Sequence, residues 1–220
     1  MQSSGPIVRT SESALATNKV LRNTYMLLAM TLLFSAAMAT VSMVLNLGSG
    51  VGTIAFFASF ALIMFVMPRV YDSAAGIYVV FAFTGLLGLA IGPTIQHYLN
   101  FPNGSQVVAT AMGGTGTIFL GLSAYVLTTR KDFSFMGGFL MIGFLVAVVA
   151  MIANIFLQIP VLSVALSAVI VLIMSGFILF DTSRIIHGGE TNYVRATVGL
   201  FLNIYNIFQG LLMLIGMGDD

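Results

Sequence analysis

The chain has 220 residues, of which 7% are charged and 59% hydrophobic, with a mean hydropathy of +1.05 and a formal net charge of +1. Soluble domains carry about 25% charged residues, and a globule of this size could not hide so much apolar surface from water, so the solvent of this chain is lipid. The absence of cysteine excludes disulfides, iron–sulfur clusters and Cys-ligated zinc; the two histidines, His97 and His187, are too few for a His-rich metal cage, and no basic block points to a nucleic-acid partner.

In chain order, the first feature is a tail, Met1 to about Asn23, rich in Ser, Thr and Ala and expected to be disordered at its start. Lys19 and Arg22 then flank an apolar stretch, Tyr25–Ala36, followed by Ala37-Met38-Ala39, which has the look of a signal-peptide cleavage site. The uncharged stretch runs on to Pro68, far beyond the roughly 7–15 residues of a signal-peptide core. It reads as an uncleaved first span.

Residues 23–68, 73–129, 133–180 and 196–218 hold no Asp, Glu, Lys or Arg. A membrane helix needs about 20 residues. The first three runs are each long enough for two spans and the last for one, which makes seven. Turn chemistry divides each long run: "NLGSG" (46–50), "NFPNGSQ" (100–106) and "LQIP" (157–160), where Pro160 lacks an N–H and restricts its predecessor. The expected helices are 24–46, 51–67, 74–98, 106–128, 135–157, 161–183 and 194–215. They must be helices, because lipid offers backbone groups no partner, and no ten-residue alternation of a β-barrel strand is present. The expectation is an all-α polytopic membrane protein: a cytoplasmic tail (1–23), a seven-helix domain (24–215) and a short external tail (216–220).

Orientation follows from Lys and Arg. Arg9, Lys19 and Arg22 precede the first span; Arg69, Arg130, Lys131, Arg184 and Arg195 fall in the connections after spans two, four and six. All eight lie at one end, which is therefore expected to be cytoplasmic, with the C-terminus outside. No internal repeat stands out to suggest an inverted-repeat transporter.

Glycine clusters, "GLLGLAIG" (85–92) and "AMGGTGTIFLG" (111–121), read as close helix packing. "GGTG" lacks the Lys and the strand of a phosphate loop. Asn154, Gln158, Asn203, Asn206 and Gln209 are amides at membrane depth, each expected to bond a neighbouring helix. Asn203, Asn206 and Gln209 share one face of the last span, which could also line a pathway. No Ser-His-Asp set, HExxH or paired intramembrane acids assemble a catalytic site, so the chain does not read as an enzyme and needs no cofactor. Asp181 closes the third silent run. It is either an interfacial carboxylate with Arg184 as a local partner, or a carboxylate facing a cavity, since ionisable groups in membrane helices tend to mark ion or proton pathways.

The stretch "GFILFDTSRIIHGGETNYVRATVGLFLNIYNIF" (176–208) resembles the C-terminal signature of the BAX inhibitor-1 family of membrane proteins. "NKVLRNTYMLLAMTL" (18–32), "SAYVLTTRKDFSFMGG" (123–138) and "ANIFLQIP" (153–160) are similar to its bacterial YccA branch. The resemblance implies a seven-helix bundle in the bacterial cytoplasmic (inner) membrane and two functions. One is a pH-sensitive calcium leak linked to two aspartates, on the sixth and seventh spans. Asp181 matches the first, but Asn203 stands at the second position. Two carboxylates there would share a proton; an acid–amide pair has no such repulsion, and Asp181 alone is a weak site for Ca²⁺, which takes six to eight oxygen ligands. Asp181, Asn203, Arg184 and Asn206 are the gating candidates on this reading. The other implied function is modulation or inhibition of the membrane AAA protease FtsH, with the tail and the bundle surface as contacts.

Overall fold

The computed structural model describes residues 6–217, with side chains from Leu15 to Met217. Eight α-helices are described: α1 Pro6–Val44, α2 Ser49–Ala61, α3 Met67–Val70, α4 Ala75–Leu99, α5 Gly104–Thr129, α6 Gly137–Leu157, α7 Pro160–Ile186 and α8 Tyr193–Gly216. A π turn, Leu62–Val66, joins α2 to α3, and a 3₁₀ turn, Ser134–Met136, leads into α6. No strand occurs among the described residues. Seven segments are long and apolar enough to cross a membrane: Leu15–Val44, Ser49–Val70, Ala75–Leu99, Gly104–Thr129, Ser134–Leu157, Pro160–Ile186 and Tyr193–Gly216. The chain is an all-α membrane protein with seven such spans.

Two boundaries differ from those expected. The first helix begins at Pro6 rather than near 24, so most of the stretch expected as a tail continues α1. Its Ser, Thr and Ala residues are no barrier to a helix once propagation starts from a neighbouring span, and proline suits a helix's first turn. Residues 1–5, at the start of the stretch expected to be disordered, lie outside the described residues, as do 218–220 of the external tail. The second span is interrupted. Pro68 has no N–H for the carbonyl four residues back, and the Met67 amide bonds Leu62 O, five residues back. The Arg69 guanidinium also bonds the carbonyl of Phe65.

The breaks fall where the turn residues lie. Asn46 (φ 51°), Arg130 (φ 51°) and Gln158 (φ 52°) are left-handed residues that end or follow a helix, a common way to satisfy the last carbonyls. Asn154 ties the α6–α7 hairpin. Its side chain donates to Ile159 O (3.2 Å) and Ser163 Oγ (2.6 Å) and accepts from the Ile159 amide (3.1 Å).

α4 and α8 form the centre: half of each is buried, against 11% of the fifth span, which contains α6. α8 packs on α1, α4, α5 and α7, while α4 packs on α1, α2 and α5. α6 rests on α7 alone among the helices and presents Phe139, Ile155 and Phe156 outward. Phe83 of α4 meets Phe201 of α8 edge-on at 6.0 Å, both fully buried. Glycines let the backbones close. A Cβ at Gly88 would strike the Ser35 carbonyl, and one at Gly92 would strike Ser42, whose hydroxyl bonds Leu89 O across α1 and α4 (3.0 Å). In lipid this van der Waals closeness drives helix association.

Candidate functional site at the basic end of the bundle

α7 and α8 run antiparallel and are joined by a short loop, residues 187–192. Asp181 lies five residues before the end of α7, so its carboxyl sits about 7.5 Å of helix rise inside that end. It faces α8, where Gly199 leaves room: a Cβ at 199 would come within 3.2 Å of Asp181 Oδ2. One turn further along α8, the Asn203 amide donates to Asp181 Oδ2 at 2.8 Å. The structure therefore brings these two candidates together as an acid–amide pair, with Asn203 buried.

The other candidates do not join them by hydrogen bonds. Asn206 donates back to Leu202 O of its own helix (2.8 Å), and Gln209 reaches Tyr205 Oη, also on α8, at 3.4 Å. The expectation that each amide bonds a neighbouring helix is thus met by Asn203 but not by Asn206 or Gln209. An asparagine in a helix can reach the carbonyl four residues back, and sharing a face with Asn203 does not prevent it. Arg184 donates to Gly189 O (3.0 Å), lies 3.8 Å from Glu190 Oε2 and stacks over Phe180 at 5.4 Å. Its carboxylate partner is Glu190, in the following loop.

Between these groups lies a cavity of about 140 Å³ lined by Asp181, Arg184, Ile185, Glu190, Arg195, Ala196 and Gly199. Glu190 is buried and accepts from the Asn192 amide (2.9 Å). Arg195 stacks over Tyr71 at 4.9 Å. Burial raises the Tyr71 phenol above its ordinary value, with Arg195 opposing the shift and Glu190 adding to it.

Three connections meet here. Asn192 accepts from the amides of Val194 (2.9 Å) and Arg195 (3.0 Å), capping α8, and donates to Tyr71 O (2.8 Å) and Asp72 Oδ1 (2.7 Å). Ser183 Oγ accepts from the Phe133 amide (2.9 Å), and the His187 ring nitrogens lie 2.9 Å from Ser183 O and 3.1 Å from Arg130 O. Hydrogen bonds from Ser134, aided by His187 and Ser183, hold the exposed Asp132 carboxyl below the usual carboxylate range. That stabilisation is present above the ordinary carboxylate value and is lost as pH falls through the lowered one.

Nothing in the sequence marks Glu190 or Tyr71 as part of this site. An asparagine just before an apolar helix is a cap signal, but the partners of Asn192 at 71 and 72 are 121 and 120 positions away. Asn192→Ala is expected to cost about 2–3 kcal/mol, from a lost cap and two lost inter-loop bonds. Asn192→Ser should recover about 1 kcal/mol of that by restoring the cap. The unfolding midpoint in detergent measures both.

Among the described residues no three of His, Asp and Glu gather as a metal site, and the cavity mixes two carboxylates with two guanidinia.

The family model described as "Inhibitor of apoptosis-promoting Bax1" matches residues 17–220. The chain is 54% identical over 207 residues to "Modulator of FtsH protease YccA" of Escherichia coli K12, covering 94% of each chain. It has the same identity and coverage with "Inner membrane protein YccA" of E. coli O6:H1. With an "Uncharacterized membrane protein" of Vibrio cholerae it shares 48% over 214 residues, 96% of each. These comparisons lend no support to the calcium leak that the resemblance also implied. The seven spans, the paired ends of α7 and α8 and the match across nearly the whole chain agree: this protein belongs to the Bax1 inhibitor family, in its YccA-like bacterial branch.

Proposed function

We propose that this chain is a regulatory protein of the bacterial inner membrane that binds the membrane protease FtsH and restrains its action on other membrane proteins. The observation that carries the proposal is 54% identity, over 94% of both chains, to the E. coli protein named as a modulator of that protease. The protein acts by binding, not by catalysis, and without a cofactor.

The geometry supports this reading. α1 has 39 residues, or about 58 Å of helix at 1.5 Å per residue. The hydrocarbon core is about 30 Å thick. Roughly half of α1 therefore extends beyond it, on the side that holds Lys19 and Arg22. With the basic end in the cytoplasm, that extension is offered to a protease whose working parts face the cytoplasm. The membrane-spanning part of α1 is held against α4 by the close contacts at Gly88 and Gly92.

The test is co-purification of FtsH with the full chain and with a form lacking residues 1–18. Association that weakens on deletion is expected. Undiminished association would remove the tail from the interface, and no association with either form would overturn the proposal.

The orientation has its own test, helped by the absence of native cysteine. Single cysteines at Gly48 and Pro102 should react with a membrane-impermeant maleimide added outside intact spheroplasts. Cysteines at Ser73 and Lys131 should react only after the membrane is opened. The reverse pattern would invert the topology.

A further inference from the structure

The cavity between the basic ends of α7 and α8 is built from an unusual set of groups for a membrane protein. Its floor is Asp181, at membrane depth, with one hydrogen bond among the described residues, from Asn203, to a carboxyl group that can accept several. Its sides and mouth carry Arg184, Glu190 and Arg195. Two acids and two guanidinia leave the lining neutral overall, yet divided: the carboxyl group of Asp181 lies deeper than the guanidinia, by three residues of α7, or about 4.5 Å of rise, from Arg184. Arg184 and Glu190 form the one salt bridge among the described residues, and it is long, at 3.8 Å. Among the described residues, the Arg195 guanidinium meets the ring of Tyr71.

A charge pattern of this kind fits neither a simple anion nor a simple cation. An anion at the floor would meet Asp181, and a cation at the mouth would meet two guanidinia. It fits a zwitterion that enters ammonium first and leaves its phosphate at the rim. We propose that this cavity binds an aminoethyl phosphate group, the head group of an ethanolamine phospholipid. The ammonium donates to Asp181, and the phosphate accepts from Arg184 and Arg195.

Size agrees. A cavity of about 140 Å³ has room for roughly four to five water molecules at about 30 Å³ each, which is room for an aminoethyl chain and its ester oxygen with the phosphate left at the mouth. Nitrogen and phosphorus are separated by two carbons and an oxygen, a reach comparable with the depth difference between Asp181 and Arg184. Position agrees as well. The cavity lies where two spans end, at the level where lipid head groups meet the protein. Three N–H donors on the ammonium also supply what the Asp181 carboxylate lacks. A choline head is bulkier and has no N–H; a glycerol head has no cation.

The experiment uses the full chain in detergent, incubated with equal amounts of phosphatidylethanolamine, phosphatidylcholine and phosphatidylglycerol of identical chains. Lipid retention is read by native mass spectrometry. About tenfold preference for the ethanolamine lipid is expected, equivalent to about 1.4 kcal/mol. The preference should fall below threefold in both Arg195→Gln, at the exposed rim, and Asp181→Asn, which is isosteric. The unfolding midpoint of each variant shows that it is folded. Displacement by glycerophosphoethanolamine, which has no acyl chains, would confirm that the head is what is read. If that soluble head binds while the three lipids are retained equally, the site serves a water-borne zwitterion and the lipid source is overturned. Equal retention with no binding of the soluble head, or a preference unchanged in both variants, overturns the proposal itself.

Discussion

Gly88→Ala is expected to destabilise the bundle by about 3 kcal/mol, although it adds a single methyl group. The new Cβ would overlap the carbonyl oxygen of Ser35 and lie 3.0 Å from Met38 Cβ. Ser35 O is backbone within α1, so no side-chain rotation relieves the contact and α1 must move away from α4. That opens the most extensive helix pair in the protein, including the Ser42–Leu89 bond. Overpacking of this sort costs about 1–3 kcal/mol, and more when backbone must shift. The same substitution at Gly113, Gly116 or Gly121 meets nothing within 4 Å. There it should be neutral or stabilise by up to about 1 kcal/mol, because alanine is the better helix former. Unfolding midpoints and monodisperse yield in detergent separate the two cases. Similar losses at all four positions would show that α5 is packed against something other than lipid.

The second large effect is at the acid–amide pair. Asn203→Leu should cost about 2–4 kcal/mol, because it removes the one hydrogen bond that the described residues give a carboxyl group held at membrane depth. Asp181→Leu should cost less, about 1–2 kcal/mol, since it leaves a neutral amide unpaired rather than an acid. The double variant Asp181→Leu/Asn203→Leu is expected to be more stable than Asn203→Leu alone. A cycle over these variants measures the coupling directly. Simple additivity would mean that the 2.8 Å contact contributes little and that Asp181 is satisfied from the cavity side.

The number of spans was readable from charge alone, because each silent run had to be a whole number of membrane crossings. The breaks at Asn46, Gln158 and Pro160 were readable from turn chemistry. The pairing of Asp181 with Asn203 was readable only through the family resemblance, which placed one residue on each of the last two spans. The glycine clusters show what composition withholds. Residues 85–92 and 111–121 look alike, yet Gly85, Gly88 and Gly92 lie against α1 while Gly113, Gly116 and Gly121 face open space. Which face of a lipid-soluble helix meets a neighbour is not marked by polarity, since lipid and protein interior are equally apolar. The loop lattice around Asn192 was hidden for a different reason: its bonds to Tyr71 and Asp72 depend on where distant connections come to rest. The early start of α1 was hidden because Ser, Thr and Ala fit a tail or a helix, and the neighbouring span decides.

The most direct test of the proposed modulation is reconstitution. FtsH would be placed in proteoliposomes with a third membrane protein as substrate, with and without this chain, and substrate degradation followed over time. The full chain is expected to slow degradation several-fold, and deletion of residues 1–18 to remove most of that effect. A degradation rate unchanged by a folded, co-reconstituted chain would contradict the proposed modulation.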